Sequence, residues 1–170
     1  MSLYQELEQR SLVHASTEGL PERLASDKLT AYAGFDPTAS SLHVGSLMPM
    51  MALARFQRAG HTPIALIGGG TSLIGDPSGK STERTLLTPE QVQINSVEIR
   101  NQLSRFLDFG SGNQSAKLLN NADWLGTLNG MDFFREIGKH FTVNSMLAKE
   151  SVKRLLESED GISFTEFIYL

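Results

Sequence analysis

Cysteine is absent from this chain of 170 residues, which excludes disulfides and thiolate metal sites. Positive charge is not in excess either: 15 lysines and arginines stand against 19 aspartates and glutamates, a net charge of −4. That is the wrong sign for autonomous nucleic-acid binding and leaves room only for a local basic patch. No apolar run approaches the ~20 residues of a membrane span. The opening stretch carries Glu6, Glu8 and Arg10 and forms no apolar signal-peptide core, so a cytoplasmic protein is expected. His14, His61 and His140 are scattered without ligand spacing, and no metal site is assigned. Two nucleotide fingerprints are also missing. Gly75-Asp76-Pro77-Ser78-Gly79-Lys80-Ser81 has one residue too few between its glycines for a P-loop, and Ile74 stands where the first glycine should be. Leu73 breaks a dinucleotide-type glycine pattern. Taken alone, the segment from Gly68-Gly69-Gly70 to Lys80 reads as a flexible surface turn.

A hydrophobic content of 40% and a charged content of 20% suit one soluble domain with a real core. Leu3, Leu7 and Leu12 predict an amphipathic first helix, and Pro21 opens a short second one. Lys28 to Phe35 reads as a strand. Leu47, Met50, Met51 and Ala54 line a long helix that Gly60 ends, with Pro49 tolerated near its first turn. The methionines are core filler. Pro63 to Gly68 is a short apolar run, expected to be a parallel strand buried on both faces, which completes a right-handed βαβ unit. Thr88-Pro89-Glu90-Gln91 carries a capping-box pattern, and Val92, Ile99, Leu103 and Phe106 should share one helix face. Leu118 and Leu119 suggest a third strand. Phe133, Phe134 and Ile137 suggest a helix stopped by Gly138. Met146 to Glu157 reads as another, with Lys149, Lys153 and Arg154 on a solvated face. Ser163-Phe164-Thr165-Glu166 starts a last one. The pattern is α/β with a parallel sheet. Three strands are few for a doubly wound sheet, and the final helix has only begun at Leu170, so a truncation after the first half is expected.

The stretch from Gly34 to Gly45 organises the rest. An apolar strand runs into a polar turn, and the turn delivers Thr38 and His43 to the start of a long helix. Helix starts of this kind favour anions, because their first N–H groups lack partners. Gly45 would let a ligand approach the backbone.

Gly34-Phe35-Asp36-Pro37-Thr38 followed by Ser41-Leu42-His43-Val44-Gly45 resembles the nucleotide signature of class I aminoacyl-tRNA synthetases, in the form used by bacterial tyrosyl-tRNA synthetases. The resemblance implies a Rossmann-like, nucleotidyltransferase-type sheet. Thr38 and His43 would contact the γ-phosphate of ATP, with Asp36, Gly45 and Ser46 also at the nucleotide. Tyr32 would hold the phenol of substrate tyrosine, beside Gly34. Asp76 would hold its α-amino group, helped by Thr71 and Tyr169. Lys80 and Arg84 would act on the departing pyrophosphate. Asn121 and Trp124 match a stretch near the amino-acid pocket, although a strand-end turn and a core tryptophan explain them equally well. Ser46 departs from the pattern, which has a second histidine there; a hydroxyl can donate to a ribose or phosphate oxygen but is never cationic. Phe164 resembles a dimer-interface residue.

The implied activity is formation of tyrosyl-adenylate from tyrosine and ATP, which carries Mg²⁺, and transfer to tRNA(Tyr) by a homodimer. On this likeness residues 1–170 are a single segment, the amino-terminal part of the catalytic domain. The second half of the sheet, a lysine-rich loop and the anticodon-binding domain have no counterpart, so the segment alone should be nearly inactive. Two competitors remain: a related class I enzyme that activates tryptophan, against which Tyr32 and the Asp76 loop speak, and a non-catalytic dimerisation module built on the Phe164 region.

Overall fold

The computed structural model describes residues 2–74, 87–157 and 161–169. Two short helices come first, α1 (Leu3–Gln9) and α2 (Leu20–Ser26). They are followed by β1 (Thr30–Phe35), α3 (Leu47–Arg58) and β2 (Thr62–Ile67). Next come α4 (Gly69–Ile74), α5 (Pro89–Leu103) and β3 (Lys117–Asn120). The remaining described α-helices are α6 (Ala122–Leu125), α7 (Gly130–Asp132), α8 (Val143–Leu147), α9 (Glu150–Leu156) and α10 (Phe164–Tyr169).

The sheet has the order β1-β2-β3, and both pairs are parallel. Phe35 stands opposite Ile67, and Ile67 opposite Asn120, so the three strands end level. Right-handed crossover is the rule for such units, and with neighbours in sequence order it sends both crossover helices to one face. The core is that arrangement. Phe35, Ala65 and Ile67 from the strands pack with Met50, Leu53 and Ala54 of α3 and with Ile99 and Leu103 of α5. Burying each of the large aliphatics contributes about 1.5–3 kcal/mol. The expectation that β2 is covered on both faces is therefore corrected: only Pro63, Ala65 and Ile67 are buried, while Thr62, Ile64 and Leu66 remain partly open among the described residues.

Other expectations shift in detail. α1 stops before Leu12, because Ser11 takes a left-handed backbone (φ 55°) and ends the helix. α1 is instead tied to α3 through Glu6, whose carboxylate accepts from Arg55 at 3.1 Å and from Arg10 at 3.0 Å. The Arg55 hydrogen bond chiefly holds that carboxyl below the usual range. Gly60, at φ 91°, ends α3 as expected. Thr88 caps α5 by accepting from Gln91 N at 3.2 Å, but the Gln91 side chain turns to Asn95 and leaves the box half made. Phe106 is exposed, and Leu107 enters the core in its place. Phe133 to Ile137 forms a wide π-type turn, and Gly138 does not stop it: the chain continues as a 3₁₀ turn, Gly138–His140. The single helix expected over 146–157 is two, because Lys149 takes an extended backbone between α8 and α9 (φ −66°, ψ 136°). Lys153 stays exposed and lies 3.7 Å from Glu150. The side chains of Arg154 and Glu166 lie outside the described part.

His61 is a buried histidine at the start of β2, only 3% exposed. Its Nδ1 accepts from Leu29 N at 3.2 Å, and its Nε2 has no partner among the described residues. Burial lowers its pKa, so the ring is held neutral. The unfolded chain, with a histidine pKa near ~6.5, then binds more protons than the folded one below that pH. This contribution to stability is full above about pH 6.5 and is lost as pH falls from there toward the lowered folded value. His61→Asn keeps an acceptor for Leu29 N and removes the titration. The melting temperature of the wild type should drop more steeply than that of the variant from about pH 6.5 downwards; parallel curves would contradict the assignment.

Candidate active site

The site is built at the carboxyl ends of the three strands. The β1–β2 ladder runs one step further, through Gly68 N to Phe35 O at 2.9 Å, and the β2–β3 ladder likewise, through Asn121 N to Ile67 O at 3.0 Å. α4 starts at once on top of these ends. Thr71 Oγ1 donates to Gly68 O at 3.1 Å and accepts from Asn121 Nδ2 at 3.2 Å. Asn121 Oδ1 accepts from Gly70 N at 2.7 Å. The glycine run is thus no flexible turn: Gly69 and Gly70 lie in α4. A Cβ at Gly68 would run into Asp36 Oδ1 and Thr71 Oγ1, and one at Gly69 into Asn120 Oδ1. The glycines are there so that helix, strand ends and asparagines can touch.

Asp36, Gly68, Thr71 and Asn121 therefore meet at one point. Asn121, 8% exposed, is part of the scaffold of this cluster. Trp124 is 44% exposed, so the core-tryptophan reading is corrected. Thr71 has already used its proton, but its oxygen retains a lone pair that a cationic donor could use.

Upstream on β1, alternation puts Thr30, Tyr32 and Gly34 on the open face and Ala31, Ala33 and Phe35 in the core. Tyr32 is 73% exposed, and a Cβ at Gly34 would meet nothing within 4 Å. Ile64 and Leu66 pair with these two residues and give that face an apolar floor.

Downstream, the segment 36–43 has no regular structure. Pro37 is buried and Thr38 exposed. Asn95 of α5 donates to Pro37 O at 2.9 Å. Gln102 of α5 donates to Ser40 O at 3.1 Å and accepts from Leu42 N at 3.0 Å. His43 precedes a 3₁₀ turn, Val44–Ser46, that leads into α3. Gly45 N donates to His43 Nδ1 at 3.0 Å. With Nδ1 used as an acceptor, the proton of the neutral ring sits on Nε2, which is therefore a donor. A Cβ at Gly45 would lie 2.8 Å from His43 Cε1 and 2.9 Å from Nδ1. Gly45 makes room for the histidine ring, a use the sequence did not suggest. Ser46 is buried, 9% exposed, and is the least accessible of the expected residues that the structure describes.

Tyr169 lies on α10, which packs against α4. Phe164 opens the same helix and is 64% exposed. It lines an apolar groove of about 360 Å³ with Phe133, Phe134, Phe141, Phe167 and Ile168. Asp76, Lys80 and Arg84 lie outside the described residues. Asn95 and Gln102 were not foreseen. One signal was available: Asn95 is a polar residue on the buried stripe Val92, Asn95, Ser96, Ile99 and Leu103.

The family model described as tRNA synthetases class I (W and Y) matches residues 24–170. The chain belongs to this family. Among its relatives, the tyrosine–tRNA ligase of Roseiflexus castenholzii is 58% identical over 169 residues, 99% of this chain and 40% of the relative. That of Geobacillus stearothermophilus is 53% identical, covering 100% of this chain and 41% of the relative. The chain thus spans about 40% of the length of these curated relatives. Among solved structures, the C-terminally truncated mitochondrial tyrosyl-tRNA synthetase of Aspergillus nidulans superposes with a TM-score of 0.84 at 28% identity, over 99% of this chain and 51% of that one. The fold of the chain is accordingly that of a Rossmann-like catalytic domain, with the parallel sheet and flanking helices described above. Among its described residues, no helix is long and apolar enough to cross a membrane.

Proposed function

We propose that this chain is the amino-terminal part of the catalytic domain of an enzyme that activates tyrosine with ATP, forming tyrosyl-adenylate and releasing pyrophosphate, for transfer to tRNA(Tyr). The observation that carries the reading is the convergence of Asp36, Gly68, Thr71 and Asn121 at the level ends of three parallel strands. Tyr32 and Gly34 lie upstream of that point on β1, and the Thr38–His43 loop lies downstream. In open α/β sheets ligands sit outside the carboxyl ends of the strands. Relatives named tyrosine–tRNA ligase, more than half identical over the whole chain, support tyrosine over tryptophan.

In this reading the phenol of tyrosine rests on the open face of β1, its hydroxyl bonded to Tyr32 Oη above the Ile64 and Leu66 floor. Its ammonium lies by Thr71, with Asp76 and Tyr169 as further acceptors. A carboxylate oxygen of tyrosine attacks the α-phosphorus in line. A new O–P bond forms, the bond to the β-phosphate oxygen breaks, and pyrophosphate carries the electron pair away. No protein nucleophile is needed. Thr38 and the Nε2–H of His43 donate to the γ-phosphate, Asp36, Gly45 and Ser46 border the nucleotide, and Lys80 and Arg84 neutralise the leaving group. ATP enters with its Mg²⁺. Catalysis is positioning plus electrostatic stabilisation. The exposed aromatic groove around Phe164 suits a second copy of the chain, since contiguous apolar surface of this kind marks an interface.

Tyrosine-dependent ATP–pyrophosphate exchange by the full-length protein, run beside tryptophan and phenylalanine, tests the reading. Exchange with tyrosine alone is expected; exchange with tryptophan favours the related enzyme class. Tyr32→Phe removes one hydrogen bond between neutral groups, typically worth about 0.5–1.5 kcal/mol. KM for tyrosine should rise by about two- to twelvefold while KM for ATP stays put. An unchanged KM for tyrosine would remove Tyr32 from the pocket.

A further inference from the structure

Asn95 lies on the buried face of α5, and Gln102 is a second, partly exposed amide on the same helix. Asn95 is 2% exposed on the core face. A buried amide is costly unless its donors and acceptors are used. Those of Asn95 are used: Nδ2 donates to Pro37 O, and Oδ1 accepts from Gln91 Nε2 at 3.0 Å. Seven residues on, two helical turns later, Gln102 takes Ser40 O and Leu42 N with its two ends. These contacts span 58 to 62 residues of sequence. The segment 36–43 forms no ladder of its own, and three of its backbone groups are satisfied by α5 instead. They bracket Thr38 and stop one residue short of His43. α5 is itself anchored in the core by Ile99 and Leu103, both 0% exposed.

We propose that Asn95 and Gln102 are positioning residues for the phosphate contacts of Thr38 and His43. The inference rests on the nucleotide reading given above. Donors that await the developing charge in place need no reorganisation as the reaction proceeds. A loop without the clamp would have to be ordered during the reaction, at an entropic cost that falls on the rate. The helix that fills the core thereby also sets the register of the nucleotide loop.

Gln102 is the site for the test, because it lies nearer the surface than Asn95. Gln102→Leu removes both contacts. Gln102→Glu keeps an acceptor for Leu42 N and loses the donor to Ser40 O. In the full-length protein, kcat for tyrosine-dependent exchange should fall at least about tenfold in Gln102→Leu, in line with the sensitivity of such reactions to misplacement. The fall should be smaller in Gln102→Glu. KM for tyrosine should not change, and hydrogen exchange at the Leu42 amide should quicken in Gln102→Leu. A merely structural role would lower the melting temperature and leave kcat per folded molecule intact. A kcat for Gln102→Leu within twofold of wild type overturns the proposal, and so does a fall in kcat with Leu42 exchange unchanged. A wild type without any tyrosine-dependent exchange removes the function reading beneath it, a result distinct from either.

Discussion

His43→Ala is expected to slow tyrosine-dependent ATP–pyrophosphate exchange by about 10²–10³, the usual cost of removing one preorganised donor from a transition state. The expectation follows from how the ring is held. Gly45 N donates to Nδ1 at 3.0 Å, and the absence of a Cβ at Gly45 leaves space for the imidazole. The remaining nitrogen is a donor whose position is set before ATP arrives. A bond made mainly as the pentacoordinate state forms lowers kcat when lost and leaves KM for ATP nearly unchanged. His43→Gln restores an N–H group without the ring's anchor and should recover part of the loss. Steady-state kinetics over a range of ATP concentrations check this. A rise in KM with kcat preserved would make His43 a ground-state binder and contradict the assignment.

Gly68→Ala should raise KM for tyrosine by about 5- to 150-fold, on the estimate that two polar contacts of roughly 1–3 kcal/mol in total are lost. The added methyl would meet Asp36 Oδ1 and, at 2.8 Å, Thr71 Oγ1. The aspartate can swing aside, but Thr71 is stiff and is held by Gly68 O and Asn121 Nδ2. Relief therefore comes from moving the site residues themselves. Overpacking of this kind also costs about 1–3 kcal/mol of stability, visible as a lower denaturation midpoint. Gly130→Ala is the control, since a Cβ there meets nothing within 4 Å; it should leave KM for tyrosine unchanged and should not lower the midpoint. Equal kinetics for Gly68→Ala and wild type would show that Gly68 does not border the amino-acid site.

The strands, α3 and the capped start of α5 were legible because each rests on local chemistry: an apolar run, a helical period ended by Gly60, a threonine before a proline. The signature loop was legible as residues but not as a built object, since the groups that hold it, Asn95 and Gln102, lie some 60 residues away and only the fold brings them close. The glycine run misled for a related reason. Glycine weakens a helix in isolation, yet here the asparagines at the end of β3 leave no room for a Cβ, and packing overrides propensity. The half-open sheet was missed because the buried-strand pattern does not say which side a crossover takes. The break at Lys149 has no glycine or proline to announce it.

The most direct test of the central claim, that one cleft at the strand ends holds both substrates, is a crystal structure of the full-length protein with a non-hydrolysable tyrosyl-adenylate analogue. The account predicts the phenol within hydrogen-bond distance of Tyr32 Oη, the ammonium at Thr71, and the phosphate mimic beside the loop that carries Thr38 and His43. An analogue seated elsewhere, or one that leaves Tyr32 and His43 on separate surfaces, would contradict it.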